Sequence, residues 1–275
     1  MTRSRLPVDP LPQVWDTSEP IGSLLKGKRG LVVGMANSHS IAFGCAAKLR
    51  VFGAELALTY VNEKTRAYVE PLAEQLQATL LMPLNVETPG ELEAVFERIT
   101  ETWGELDFIV HSIGYAPPSD LRGRVVDCSE DGFSRAMRVS VYSFIAMARL
   151  AEPLMRRGGA LVTMSYYGAD KVIDHYNIMG PVKAALESTT RYLAAELGGR
   201  RIRVYALSPG PLRTRAAGGI AEFDSLMASA EAHSPVHRSV DIAEIGRVVA
   251  FLVSDGASGM TGDTIYVDGG RHNIA

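Results

Sequence analysis

The 275-residue sequence contains only two cysteines, Cys45 and Cys128, and they do not form a Cys-x-x-Cys pair. This low count excludes a disulfide framework and a thiolate zinc site, and it fits a reducing compartment such as the cytoplasm. The only close histidine pair is His233 and His237, and Pro235 between them interrupts the helical face that metal ligation at this spacing needs. We therefore expect no bound metal.

An excess of positive charge is also missing. The formal net charge is -3 and the isoelectric point is about 6.1, with Lys and Arg scattered among Asp and Glu. Such a chain has no overall attraction to nucleic acid. Residues 1–28 contain four prolines and no sustained apolar run, so they predict neither a secretory signal nor a membrane span. We expect them to form an extended N-terminal arm on the surface.

The rest of the chain, residues 29–275, has the pattern of a single domain. No Gly/Ser-rich or Pro-rich linker interrupts it, and short apolar runs alternate with helical patterns in the order βαβαβαβαβαβ. This order predicts an α/β fold, a Rossmann-like doubly wound parallel sheet with helices on both faces. Ligands bind such sheets beyond the carboxyl ends of the strands, which places the chemistry in the loops after residues 33, 60, 84, 113, 165 and 208.

The loop after the first strand is a candidate cofactor-binding segment. Gly34 ends the strand, Ser40 closes the loop, and Ile41 begins a helix whose first amides can face a pyrophosphate. The G-x-G-x-x-G fingerprint is absent, so a plain turn with Ser40 as a helix cap is an equally good reading of this segment.

The second and third strands are followed by residues that suit the adenosine half of a dinucleotide. Asn85 and Val86 end the third strand, where a side-chain oxygen can accept from the adenine amino group, although Asn is also common as a turn residue. No Arg directly follows Tyr60, which favours NADH over NADPH, while Lys64 and Arg66 stand close enough to keep NADPH open.

Tyr176 and Lys183 are candidate catalytic residues because their spacing of seven brings them to one face of a helix. Carbonyl-reducing short-chain dehydrogenases place the lysine four residues after the tyrosine, and Gly180 stands there in this chain. Taken singly, a half-buried packing tyrosine and a solvated lysine are the commoner explanations.

Five segments together resemble one family, the NADH-dependent enoyl-acyl-carrier-protein reductases, a divergent branch of the short-chain dehydrogenase/reductase superfamily. The resemblance runs from about Leu24 to the C-terminus. Its segments are Ser40-Ile41-Ala42, His111-Ser112-Ile113-Gly114, Ser165-Tyr166, Tyr176 to Gly180 with Lys183, and Gly210-Pro211-Leu212-Arg213-Thr214.

The resemblance implies roles for three residues. Tyr176 would hydrogen-bond the thioester oxygen of a trans-2-enoyl substrate, and Lys183 would hold the nicotinamide ribose and favour an enolate electrostatically. Tyr166 would be a second active-site tyrosine in the substrate channel, and it fits this role better than its neighbour Tyr167. The family also implies fatty acid biosynthesis, acyl-carrier protein as the partner that carries the substrate, and a homotetramer.

Further contacts follow from the same resemblance. Leu212 to Ala216 would lie against the nicotinamide end, and Ala216 to Ile220 would form a mobile lid, although a surface loop without a role has the same composition. The remaining predicted contacts are Ser112, Ile113, Gly114, Leu212, Thr214 and Ala216 for the cofactor, and Ala116, Tyr115, Met179 and Phe223 for an apolar acyl channel. Core packing explains the channel candidates Tyr115, Met179 and Phe223 equally well.

Two departures from the family pattern affect these expectations. Val61 stands where the best-known members of the family carry a polar residue, and Asn85 stands where many carry Asp. Both positions bear on the preference for NADH or NADPH. Pro181 lies between Tyr176 and Lys183 and is accommodated if the helix begins there with Gly180 as its cap.

Two rival functions stay open. One is a 3-oxoacyl or carbonyl reductase, and the other is a non-catalytic NAD-binding subunit. The missing lysine at position 180 argues against the first rival. The intact pair Tyr176 and Lys183 argues against the second.

Overall fold

The computed structural model describes residues 24–214 and 222–274. The strands are β1 (Arg29–Val33), β2 (Glu55–Tyr60), β3 (Leu80–Pro83), β4 (Phe108–His111), β5 (Gly159–Met164), β6 (Ile202–Pro209) and β7 (Thr264–Val267). The helices are α1 (Ile41–Val51), α2 (Glu63–Gln75), α3 (Glu91–Trp103), the short α4 (Pro118–Leu121), α5 (Glu130–Met137), α6 (Ser143–Ala151), α7 (Met179–Leu197), α8 (Phe223–His233) and α9 (Ile242–Val253).

Across these two ranges the strands form one parallel sheet of seven, in the order β3-β2-β1-β4-β5-β6-β7. In this order β2 and β3 lie on one side of β1, and β4 to β7 lie on the other side. The order in which strands are added to the sheet therefore reverses between β1 and β4, and ligands of doubly wound sheets bind at such a switch point. The predicted fold class is confirmed.

Each face of the sheet is covered by its own apolar layer. Phe43, Leu49 and Val249 belong to the layer that α1 and α9 bury, and Phe144 and Leu186 belong to the layer that α6 and α7 bury on the other face. Strands buried on both faces are the reason that the sequence shows continuous apolar runs rather than alternation.

Glycine brings α1 and α9 close together. A Cβ on Gly44 would lie 2.3 Å from the Ile242 carbonyl oxygen, and a Cβ on Gly246 would lie 2.3 Å from the Gly44 carbonyl oxygen. This contact leaves no room for any side chain at either position.

Three features differ from the sequence expectations. The sequence pattern predicted six strands and did not predict α8, α9 or β7. The strand β7 gave little apolar signal because it has only four residues, all partly exposed. Residues 131–155, whose apolar spacing predicts one long helix, form α5 and α6 with a π-helical turn over Arg138–Tyr142 between them. Residues 24–27 form a turn in which Leu25 is fully buried, so this end of the expected arm packs into the domain, while residues 1–23 lie outside the described residues.

Candidate active site

The carboxyl ends of β1 and β4 meet at Gly34. Its φ is +97°, and a Cβ there would lie 2.0 Å from the Ser112 carbonyl oxygen. Only glycine fits both the conformation and the contact. Gly34 therefore lets the loops after β1 and β4 converge at the switch point.

Ser40 orders the loop that precedes α1. Its Oγ accepts hydrogen bonds from the backbone N–H groups of Ala36 and Asn37, at 3.0 and 3.1 Å. Ser40 is the N-cap residue of α1, as one reading of the sequence predicted, but its side chain makes no hydrogen bond to the helix. The first amides of α1, those of Ile41 and Ala42, point out of the helix end because the first N–H groups of a helix lack intrahelical partners.

Asn85 and Val86 stand at the carboxyl end of β3. The Asn85 side-chain oxygen accepts from the Glu87 N–H at 3.1 Å, which is a turn-forming contact. Glu87 in turn accepts two hydrogen bonds from the Arg135 guanidinium, both 2.7 Å long, and these lower the pKa of Glu87. The same guanidinium lies 4.7 Å from the centre of the Tyr115 ring. The loop after β3, where the sequence predicts adenosine contacts, is thereby connected to α5 and to the loop after β4.

Two serines around the π-helical turn hold β4 and the loop that follows it. His111 is fully buried, with Nδ1 at 2.8 Å from Thr163 Oγ1 and Nε2 at 2.8 Å from Ser143 Oγ. Ser140 Oγ accepts from the Tyr115 N–H at 3.1 Å and lies 3.3 Å from the Tyr115 carbonyl oxygen. These contacts position Ser112, Ile113 and Gly114, the predicted cofactor contacts between His111 and Tyr115.

Tyr176 is 8% exposed and lies two residues before the N-cap of α7, not on the helix itself. The helix begins at Met179, so Pro181 lies in its first turn and the expectation of Gly180 as the cap is wrong. The backbone around Tyr176 is unusual because His175 and Asn177 both have positive φ, +62° and +46°. The Asn177 side chain donates a short hydrogen bond to the Leu121 carbonyl, which anchors this turn.

Tyr166 packs against Tyr176 in an edge-on arrangement, with ring centres 4.8 Å apart. Burial raises the pKa of Tyr166 to about 12 and raises that of Tyr176 further. Both phenols are therefore neutral near pH 7 and can donate a hydrogen bond. Tyr167 instead faces Arg271, whose guanidinium carbon lies 5.9 Å from its ring centre.

Lys183 is 7% exposed, and its Nζ donates a hydrogen bond of 2.6 Å to the Met164 carbonyl oxygen. Burial lowers its pKa to about 8, while the Glu187 carboxylate acts in the opposite direction. A Cβ on Gly114 would lie 3.4 Å from Nζ, so the loop after β4 passes close to the ammonium. Tyr176 and Lys183 thus both contact the carboxyl end of β5, the first through Tyr166 and the second through Met164.

A cavity of about 320 Å³ opens beside Tyr166 and Tyr167. Its lining includes Tyr166, Tyr167, Ile173, Pro211 and Leu226. None of the predicted acyl-channel residues is in this lining. Ala116 and Met179 are buried, Tyr115 is 36% exposed, and Phe223 is the first residue of α8.

The segment after β6 is described only in part. Leu212 packs against the apolar layer of α1 and α9, and the Thr214 N–H donates to the Leu212 carbonyl at 2.8 Å. Ala216 and the expected lid, residues 216–220, lie outside the described residues.

Sequence reasoning missed two polar groups of this region, Glu187 and Ser140. Glu187 could have been found from the sequence, because it follows Lys183 by four residues and therefore shares its helical face. Ser140 could not, because only the π-helical turn directs it toward Tyr115.

Neither a metal site nor a membrane helix is found in the described ranges. Residues 24–214 and 222–274 contain no cluster of three or more His, Cys, Asp or Glu side chains that could hold a metal ion. No helix in those ranges has the length and hydropathy needed to cross a bilayer.

The chemistry that the site allows follows from its charges. A neutral phenol and a buried ammonium can together stabilise negative charge that develops on an oxygen between them. A dinucleotide bound at the switch point would end near Gly114, beside this ammonium.

Comparison with known proteins identifies relatives over nearly the whole chain. A family model described as enoyl-(acyl carrier protein) reductase matches residues 34–272. Enoyl-[acyl-carrier-protein] reductase [NADH] 1 of Rhizobium meliloti (strain 1021) is 45% identical over 251 residues, which cover 91% of this chain and 92% of the relative. Enoyl-[acyl-carrier-protein] reductase [NADH] FabI of Escherichia coli (strain K12) is 42% identical over 90% of this chain and 94% of its own length.

Solved structures agree with these sequence matches. The enoyl-(acyl-carrier-protein) reductase of Anaplasma phagocytophilum in complex with NAD superposes with a TM-score of 0.89 and 43% identity, covering 92% of this chain and 97% of that one. The Bacillus cereus enoyl-acyl carrier protein reductase with NADP+ and indole naphthyridinone has a TM-score of 0.90 and 41% identity, covering 92% and 99%.

Proposed function

Since the chain belongs to the enoyl-(acyl carrier protein) reductase family, we propose that it uses NADH to reduce the carbon-carbon double bond of a trans-2-enoyl thioester in fatty acid biosynthesis. The observation that carries the proposal is the arrangement at the carboxyl end of β5. The Tyr176 ring packs against Tyr166, which follows β5 by two residues, and the buried Lys183 ammonium binds the Met164 carbonyl, beside the switch point of the sheet.

The residues at the switch point fit a dinucleotide. Gly34 removes the side chain that would fill the space between β1 and β4, and the first amides of α1 provide donors for a pyrophosphate. The Lys183 ammonium has three N–H donors, and the Met164 carbonyl takes one of them. The others are suited to the ribose hydroxyls of the nicotinamide half.

Bound NADH would supply a hydride to the β-carbon of the enoyl thioester, and the resulting enolate would take up a proton at its α-carbon to give the saturated thioester. Tyr176 donates its hydroxyl hydrogen bond to the thioester oxygen, where negative charge grows as the double bond is lost. Lys183 orients the ribose and adds a fixed positive charge nearby. Tyr166 packs against Tyr176 and supports its ring, and Tyr166 also lines the cavity described above.

A tyrosine that acts only on developing charge contributes more to kcat than to KM, because it stabilises the transition state selectively. Removing one such donor costs about 100-fold to 1,000-fold in rate. The Tyr176→Phe variant therefore separates this function from a non-catalytic NAD-binding role.

The carbonyl-reductase alternative requires a lysine four residues after the tyrosine, and Gly180 provides none. Lys183 is instead buried one turn further along α7. This placement favours enoyl reduction over reduction of a 3-oxoacyl thioester.

The partner, location and assembly belong to the same proposal. The relatives' names specify an acyl-carrier-protein thioester and NADH, so we assign acyl-carrier protein as the substrate carrier and NADH as the preferred cofactor over NADPH. We place the enzyme in the cytoplasm as a homotetramer. Basic side chains would dock the acidic carrier, and two candidates, Arg213 and Lys171, are already paired, with Asp224 at 2.6 Å and with Asp170 at 3.2 Å.

The test is NADH oxidation, followed by absorbance, with crotonyl and longer enoyl thioesters. Wild-type protein should oxidise NADH faster than NADPH, and Tyr176→Phe should lose about 100-fold or more of kcat. Tyr68→Phe is the matched control, since Tyr68 is half exposed on α2. Oxidation with a 3-oxoacyl thioester but not with an enoyl one would reject the proposal.

A further inference from the structure

Glu187 lies one helical turn after Lys183 on α7 and faces the same strand end. Its Oε1 accepts a hydrogen bond of 2.5 Å from the Ser165 hydroxyl. Ser165 directly follows Met164, whose carbonyl accepts from Lys183 Nζ at 2.6 Å. Two consecutive residues at the end of β5 are thus bound to two side chains on successive turns of α7.

This double attachment bears on the catalytic tyrosines. The chain continues from Ser165 directly into Tyr166, whose ring packs edge-on against Tyr176. The Ser165 N–H is also fixed, donating to the Leu207 carbonyl on β6 at 2.7 Å. A shift at Ser165 would therefore move both the carbonyl that binds Lys183 and the ring that supports Tyr176.

The charges around Lys183 give Glu187 a second role. His111 on β4 faces the ammonium and is neutral, because burial, with a further effect of the Lys183 charge, lowers its pKa to about 3. Tyr166 and Tyr176, between β5 and α7, are uncharged phenols, and burial raises their pKa values above the ordinary one. In the described part of the chain, Glu187 is the charged neighbour that acts on Lys183.

We propose that Glu187 is a positioning residue for the reduction, which fixes the end of β5 through Ser165 and places a negative charge one helical turn from the buried Lys183 ammonium. The inference rests on the proposed function, because it assumes that charged Lys183 serves the reaction. Glu187 acts through Lys183 and Ser165 and does not contact substrate in this scheme.

The test is the pH profile of kcat/KM for Glu187→Gln, which keeps an oxygen acceptor for Ser165 but removes the charge. Wild-type activity should fall as the pH rises through the pKa of Lys183, which is about 8. In Glu187→Gln this alkaline fall should begin on the order of one pH unit lower, equal to roughly a tenfold loss at a fixed pH above it. Glu196→Gln, an exposed glutamate on the same helix, should keep the wild-type profile.

NADH binding gives a readout that does not need turnover. The NADH dissociation constant, measured by fluorescence from pH 6 to pH 9.5, should begin to rise at a lower pH in Glu187→Gln than in wild type. Glu187→Asp retains the charge but shortens the side chain. We expect it to keep the wild-type pH dependence with a reduced kcat, and it carries the test if Glu187→Gln does not fold.

The outcomes distinguish the two proposals. An active wild-type enzyme whose pH profile and NADH binding are unchanged by Glu187→Gln contradicts the role of Glu187 and leaves enoyl reduction intact. A displaced profile in Glu187→Asp contradicts it as well. Absence of enoyl reduction in wild-type protein rejects the proposed function itself, whatever the NADH titrations show.

Discussion

Lys183 illustrates at the level of one residue how a site is built at the expense of stability. An ammonium loses hydration when it is buried, and this loss lowers the pKa of Lys183 to about 8. The folded protein therefore binds the proton less tightly than the unfolded chain, in which the lysine titrates near its ordinary value. Below pH 8 the charged lysine destabilises the fold, and this penalty is relieved as the pH rises from about 8 toward 10.5.

We expect Lys183→Met to abolish reduction and to stabilise the protein at pH 7, by up to about 3 kcal/mol in the free energy of unfolding. The gain should shrink between pH 8 and pH 10, where wild type loses its penalty. Urea unfolding of the cofactor-free protein at several pH values measures both effects. A stability difference that stays constant over this range would contradict the prediction.

At the level of elements, the site depends on how closely β1 approaches the loop after β4. Gly34 has positive φ and no space for a Cβ, whereas Gly123 has nearly the same φ, +96°, with nothing within 4 Å of a hypothetical Cβ. The two glycines therefore separate the cost of the backbone conformation from the cost of the contact.

Gly123→Ala should destabilise the protein by about 1–2 kcal/mol, the cost of a side chain in this conformation. Gly34→Ala should cost more and should also weaken NADH binding strongly, because the Ser112 carbonyl must move. Thermal unfolding and NADH fluorescence titrations of both variants provide the measurement. Equal effects of the two substitutions on NADH binding would show that the contact at Gly34 is unimportant.

The π-helical turn between α5 and α6 is the second element that shapes the site. A π-helical turn widens the helix locally, and such turns are frequent at functional sites. Here the turn places the Ser140 hydroxyl against the N–H and the carbonyl of Tyr115. Ser143, the first residue after the turn, hydrogen-bonds to His111.

Ser140→Ala should leave the Tyr115 N–H without its partner and cost about 1–3 kcal/mol of stability. We also expect a higher KM for the enoyl thioester, since the loop carrying Tyr115 and Ala116 is loosened. Ser134→Ala, an exposed serine on α5, is the control and should change neither quantity. Unchanged stability and kinetics in Ser140→Ala would remove the positioning role of the turn.

At the level of the whole molecule, several large apolar side chains stay exposed on neighbouring helices. Tyr142 is 53% exposed, Ile145 37% and Tyr192 71%, on the π-helical turn, α6 and α7 respectively. Exposed apolar side chains on neighbouring helices suit a protein–protein interface. The homotetramer proposed above would bury such a surface.

Light scattering coupled to gel filtration should therefore give about four times the chain mass of 29.7 kDa. Tyr192→Glu should lower this mass, because it places a charge on the apolar surface. The control is Tyr68→Glu on α2, which should stay tetrameric. A wild-type mass equal to one chain would reject the tetramer.

Much of the fold could be predicted from local pattern. Buried parallel strands are continuous apolar runs, so the runs near Leu31, Ile109 and Leu161 indicated both the strands and their parallel order. The pattern weakened where burial is partial, as in β7, and where helix geometry changes without a local signal, as in the π-helical turn. The start of α7 was misplaced for a related reason, because Pro181 is tolerated anywhere in the first turn.

The sequence by itself determined which chemical groups this protein can bring to a reaction, and the order of strands that carries them to one edge of a sheet. Tyr176 and Lys183 could be singled out because they occur together with the other segments of the family pattern, and Gly34 because it ends the first strand. Only the tertiary structure decided their charge states and their supports, such as Glu187 behind Lys183 and Ser140 behind Tyr115. The physical reason is that hydration, and contacts between residues distant in the chain, are set by packing, which no local stretch of sequence encodes.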